Sequence, residues 1–158
     1  MRKIFSLVLL VLLIVGCSTQ TDNRADMKDY ENLSKKHHYI DSDYVESTLK
    51  LKNLEQGYYT FGFTDSMSSQ LLIEAFEEVM SDKDITSYYY DLKSDDFSTL
   101  VHRRLDEFFV HLSPNQLSGD RWPAIIVVNE NGDVKVFNSI NTEDVERIKE
   151  DIVTALFE

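Results

Sequence analysis

The stretch Gly57-Tyr58-Tyr59-Thr60-Phe61-Gly62-Phe63-Thr64-Asp65-Ser66-Met67-Ser68-Ser69-Gln70 decides the fold. Its aromatic run, bounded by Gly57 and Gly62, predicts a strand, because ring side chains suit a pleated, half-buried surface. From Ser66 to Met80 the period changes: Leu71, Leu72, Ala75, Phe76, Val79 and Met80 fall on one helical stripe. A strand therefore feeds a helix through a short polar turn. Working outward, Ile85–Leu92 (ITSYYYDL) predicts a second strand. Phe97–Leu112 predicts a second clear helix, with Asp95 or Ser94 as its cap. Ser113–Trp122 is a loop. Pro123–Val128 (PAIIVV) is a continuous apolar run suited to a strand covered on both faces. Asn131-Gly132 signals a hairpin, Asp133–Asn138 the returning strand, and Thr142–Phe157 a closing helix. Upstream, Tyr44–Leu54 is a weaker helix. The order accommodates an α/β fold, a mixed sheet with helices on both faces.

The 158 residues suffice for one ordinary domain. They carry 28 acidic against 16 basic side chains, a net charge of -12, and such a surface repels phosphate backbones, which argues against nucleic acid as a partner. A single cysteine excludes an internal disulfide. The N-terminus reads as an export signal: Met1-Arg2-Lys3, an apolar run from Ile4 to Val15, then Gly16-Cys17. As a helix of ~1.5 Å per residue that run reaches about 18 Å, short of the ~30 Å bilayer core. Ile14-Val15-Gly16-Cys17 resembles the lipobox of bacterial lipoproteins. The resemblance implies cleavage before Cys17 and acylation of its sulfur, so that the protein faces outside the cytoplasm, anchored by lipid to the cell membrane. The expected division is a signal peptide over 1–16, a lipidated polar tether over 17–36 with scattered Met27, Tyr30 and Leu33, and a domain over 37–158.

Strand, helix, strand, helix, then Trp122-Pro123, a strand, an Asn-Gly hairpin and a last helix resemble thioredoxin-fold proteins. Among these the chain is similar to thioredoxin-like accessory proteins associated with bacteriocin export. In that family a strand ending in Phe-Gly is followed, after three residues, by Cys-x-x-Cys opening a helix. Here Phe61-Gly62 is followed by Phe63-Thr64-Asp65, and Ser66 and Ser69 stand at the two cysteine positions. Trp122-Pro123 matches the family's cis-proline loop. Serine offers no thiolate, so the resemblance implies a redox-inactive member that needs no cofactor. By ungapped offset Thr60 stands near the buried carboxylate of thioredoxins proper, a departure in the same direction.

Each candidate has a plainer reading beside it. Ser66 could be a nucleophile, but serine at a helix start is first of all a cap, with Asp65 as an alternative cap. His37-His38 are adjacent and point apart on a regular element, and His102 and His111 are nine apart, so solvated histidines are favoured over metal ligands. The acidic groups Asp82/Asp84, Asp91/Asp95/Asp96 and Glu143/Asp144 lack calcium-loop spacing and read as helix ends. Trp122 either stacks on a bound peptide or covers the helix that begins at Ser66. Tyr88-Tyr89-Tyr90 reads as strand chemistry. No catalytic residue is assigned. The expected function is binding of a peptide or protein partner, as an export accessory. An enzyme using Ser66 on a small substrate and a structural or immunity lipoprotein are the alternatives.

Overall fold

The computed structural model describes residues 23–94, 103–104, 107–108, 110–111, 122–138 and 140–158. The signal, Cys17, Asp95 and most of Ser113–Trp122 lie outside the described residues. Five strands form one mixed sheet: β1 (Tyr39–Asp41), β2 (Gly57–Gly62), β3 (Ser87–Asp91), β4 (Ala124–Val128) and β5 (Val134–Phe137). Three helices accompany them, α1 (Tyr44–Lys52), α2 (Met67–Lys83) and α3 (Val145–Phe157). Within the predicted helix 97–112, the six described residues, among them Arg103 and Phe108, are helical.

The sheet order is β1-β3-β2-β4-β5. β1, β3 and β2 run parallel, with Tyr39 opposite Ser87 and Thr60 opposite Tyr89. β4 runs antiparallel to β2 and β5 antiparallel to β4, Ala124 pairing with Phe61 and Ile125 with Phe137. Parallel neighbours need a crossover, and α1 and α2 supply the two here. The β4–β5 turn is organised by Asn129, whose Oδ1 accepts from the amides of Asn131 and Asp133 at 2.9 and 2.8 Å. Gly132 takes φ +80° there, which glycine adopts without steric cost.

Strand alternation divides the core into two faces. On face A, α2 and α3 cover Tyr39, Tyr89, Ile125 and Val127. On face B, Leu51 of α1 joins Tyr59, Phe61, Tyr90, Ile126 and Val128, with Phe108 and Trp122 partly buried against them. All five residues of β4 are buried, as a strand covered on both faces must be.

Two expectations change. The first is a missing strand: β1, only three residues, precedes the helix that was read as the first element. The second is the domain boundary, because the described part of the supposed tether, residues 23–36, is folded against the domain. Asn23–Ala25 pair with β1 through Ala25 N–H to the Tyr39 carbonyl (3.1 Å) and Asp41 N–H to the Asn23 carbonyl (2.9 Å). Ala25, Met27 and Tyr30 are buried in the face A core. Polar residues dominate this strap, but its few apolar ones reach the sheet, and their burial outweighs the sparse pattern.

The histidines differ as well. His37 is buried beneath the strap. His38 is half-buried, its amide and Nδ1 at 3.0 and 2.8 Å from the two carboxylate oxygens of Glu77. Neither is simply solvated.

Candidate functional site

β2, β3 and the start of β4 end together at one edge of the sheet, and this end carries the predicted site. Since Ala124 pairs with Phe61, Trp122 and Pro123 project past β4 beside Gly62 and Phe63. The Trp122–Pro123 peptide bond is cis. Across from it, α2 begins.

Ser66 caps α2. Its backbone is extended, with φ -104° and ψ 124°, and its Oγ accepts from the Ser69 amide at 3.4 Å. Among the described residues no imidazole or carboxylate hydrogen-bonds to Ser66 Oγ, whereas a serine nucleophile needs a base within reach. Ser69 is fully buried, and its Oγ accepts from the Phe63 amide at 3.0 Å, tying the helix back to the end of β2. The two serines therefore do different work. One satisfies the helix end, and the other closes the turn. Met67, between them, is 69% exposed.

The turn is held from outside by two further contacts. Asp65 pairs with Lys93, and that hydrogen bond keeps the Asp65 carboxyl below its usual range. Gln70 Nε2 donates to the Thr64 carbonyl at 2.6 Å and to the Asp29 carbonyl at 3.1 Å, so one amide side chain joins the turn to the strap. Nearby, burial pushes the Asp91 carboxyl up, although Lys93 N–H donates to it.

Gly62 belongs to the same junction. A Cβ there would stand 3.0 Å from Tyr30 Oη, so a side chain would push the strap away. Tyr30 Oη instead meets Tyr89 Oη at 2.7 Å inside the core. Burial raises the pKa of both phenols, so both stay neutral. Thr60, one residue behind Phe61, is buried and shares a 2.8 Å hydrogen bond with Ser87 Oγ. That position is a paired hydroxyl with no proton to exchange near pH 7.

Trp122 is half-buried, its ring 5.4 Å from Phe61 and tilted by 46°. It packs in the face B cluster, whereas α2 lies on face A, so it does not cover the helix that begins at Ser66. The structure thus gathers Ser66, Ser69, Trp122 and Pro123 at one end of the sheet, with Trp122 on the far face.

Sequence reasoning overlooked Gln70, Lys93 and Tyr30. Gln70 follows Ser69 directly on the first turn of α2, a place where a polar side chain reaches neighbouring loops, but its partner at Asp29 is distant in sequence. Part of the charged surface is structural: Asp82 and Glu78 both pair with Lys149 of α3, at 3.0 and 3.1 Å, and Asp144 caps α3.

Among the described residues, no group of three or more His, Cys, Asp or Glu side chains is placed to hold a metal ion, and no helix is long and apolar enough to cross a membrane. The chain matches no protein-family model and no curated protein.

Proposed function

We propose that this chain is a thioredoxin-like protein, anchored by lipid outside the cytoplasm, that binds a peptide or protein partner without redox turnover and serves peptide export. The observation that carries the reading is the serine pair at the start of α2. Ser66 and Ser69 occupy a strand-to-helix turn where thiols would exchange disulfides, and both hydroxyls are engaged by backbone amides. The sheet order β1-β3-β2-β4-β5, with β4 antiparallel to β2, supports the thioredoxin-like part. The lipobox-like Ile14-Val15-Gly16-Cys17 supports the anchor. Exposed Met67 and half-buried Trp122 leave one apolar element on each side of the Ser66 turn, a surface suited to an extended chain.

A photo-crosslinking residue in place of Met67, in the full chain within the membranes of the producing cell, tests the binding. The expected product is one discrete adduct with a peptide or protein, absent when the same residue replaces exposed Glu150 on α3. Equal adducts at both positions, or none at 67, would overturn the reading. Turnover of a small substrate abolished by Ser66→Ala would replace it with the enzyme.

A further inference from the structure

Because the strap is folded onto the sheet, the free tether is short. Only residues 18–22 separate Cys17 from Asn23, whose carbonyl is fixed to the amide of Asp41. Six Cα-to-Cα steps span at most about 20–22 Å. If Cys17 carries the lipid, as the proposed function holds, β1 cannot stand farther than that from the bilayer. The inference below rests on that reading.

Charge and apolar exposure choose which side of β1 turns to the lipid. Residues 23–54 carry six basic and six acidic side chains, whereas residues 55–158 carry eight basic and twenty-one acidic. Bacterial surface lipids bear net negative charge, so the neutral portion approaches them at the smaller electrostatic cost. α1 belongs to that portion, and Arg24, beside Asn23, shares a groove with Glu46 of α1. On face A the outer layer, α2 and α3, holds seven acidic side chains against three basic. Three of the five exposed large apolar side chains among the described residues lie in the neutral portion, Met67 and Val110 being the other two. Val45 and Leu49, 58% and 51% exposed, stand one helical turn apart on α1, and Leu54 in the turn after it is 42% exposed. Lys52 is exposed between them. A helix is ~10–12 Å thick with its side chains, so a surface under α1 lies within the reach of the tether.

We propose that the outward side of α1, through Val45, Leu49 and Leu54, rests on the lipid surface to which Cys17 is anchored. The contact is too small to hold a soluble protein on a membrane. A tether of six steps makes it intramolecular, and the high effective concentration makes a weak contact sufficient. In this orientation the sheet lies along the bilayer, and α2 and α3 face away from it.

The test uses the full lipidated chain in vesicles of mixed zwitterionic and anionic phospholipid that carry a nitroxide quencher in the acyl region. Once Cys17 is acylated no other thiol remains, so Leu49→Cys and Glu150→Cys each accept a single fluorophore. The expected result is strong quenching at position 49 and none at position 150. Quenching at 49 should disappear in Val45→Asp while the protein stays in the membrane fraction. Equal quenching at both sites, none at 49, or quenching at 49 that survives Val45→Asp overturns the contact and leaves the anchor standing. A mass showing no lipid on Cys17 instead overturns the anchor reading, and the proposal falls with it.

Discussion

Face A and face B of the sheet are both rich in tyrosine, and they use it in opposite ways. On face A the rings of Tyr30, Tyr39 and Tyr89 meet edge-on, and their hydroxyls are buried but paired. Tyr30 and Tyr89 bond each other, and Tyr39 donates to the Ile73 carbonyl at 2.8 Å. The Thr60–Ser87 pair continues the same chemistry. On face B, Phe61, Leu51, Leu92, Ile126 and Val128 give an apolar packing, and Tyr59 sends its hydroxyl out to the Glu55 carbonyl at 2.8 Å. A buried hydroxyl costs stability unless it has a partner, so face A depends on the strap that brings Tyr30, and face B depends chiefly on apolar area.

The largest expected effect falls unequally on the two faces as pH rises. Burial raises the phenol pKa of Tyr30, Tyr39 and Tyr89 on face A above the unfolded value of 10, and does the same to Tyr59 on face B. Stability from these groups is fully present below pH 10. Above it the unfolded chain ionises first, and stability is lost at about 1.4 kcal/mol per pH unit for each phenol. Two units above pH 10 the three on face A together cost about 8 kcal/mol, against about 3 kcal/mol for Tyr59 on face B, and the face A share alone is comparable with a whole folding free energy. Urea unfolding between pH 9 and 12 measures it, and in Tyr30→Phe/Tyr89→Phe the loss should shrink by about half, the share of the two removed phenols. A loss left unchanged by the double variant would erase the distinction between the faces.

Next in size is the apolar side. Phe61→Ala removes a fully buried ring between Tyr90 and Trp122 and should cost about 3–5 kcal/mol in chemical denaturation. A loss below about 1 kcal/mol would mean that Trp122 and Phe63 refill the space, and that face B is looser than its packing suggests.

The smallest effect is the sharpest. Tyr89→Phe leaves the Tyr30 hydroxyl buried without its partner and should cost about 1–3 kcal/mol. Adding Tyr30→Phe should return part of that loss, because removing both hydroxyls is cheaper than orphaning one. Additive losses in the double variant would show that the pair carries no coupling.

The elements also differ in how far they could be read from the chain. Strand β4 and helix α2 were legible because alternation and stripe are local: PAIIVV predicts a doubly covered strand, and β4 is one. The stripe from Leu71 to Met80 likewise locates α2, whose last turn runs on to Lys83. The strap was not legible. Met27, Tyr30 and Leu33 follow no strand or heptad period, because the segment is a series of turns whose burial depends on contacts with α2 and β3 far along the chain. β1 escaped for a related reason: three residues cannot display a period, and β1 is recognisable only from its pairing with β3. At the site, the cap at Ser66 was readable since capping is decided within four residues. The burial of Ser69, the tie through Gln70 and the side on which Trp122 packs all depend on which face each element takes, which no local pattern encodes.

The Gln70 tie also gives the molecule a load path. Tension on the chain ahead of Asn23 falls first on the two backbone bonds that splice it to β1, those at Ala25 and Asp41. Behind this splice, the Asp29 carbonyl passes the strain through the Gln70 amide to the Thr64 carbonyl, two residues before Ser66. The packed interface of α2 and α3 lies off that line, bolted separately by Lys149 to Glu78 and Asp82. A tug at the N-terminus thus reaches the Ser66 turn through the Gln70 amide, and the core through Ala25, Met27 and Tyr30 of the same strap.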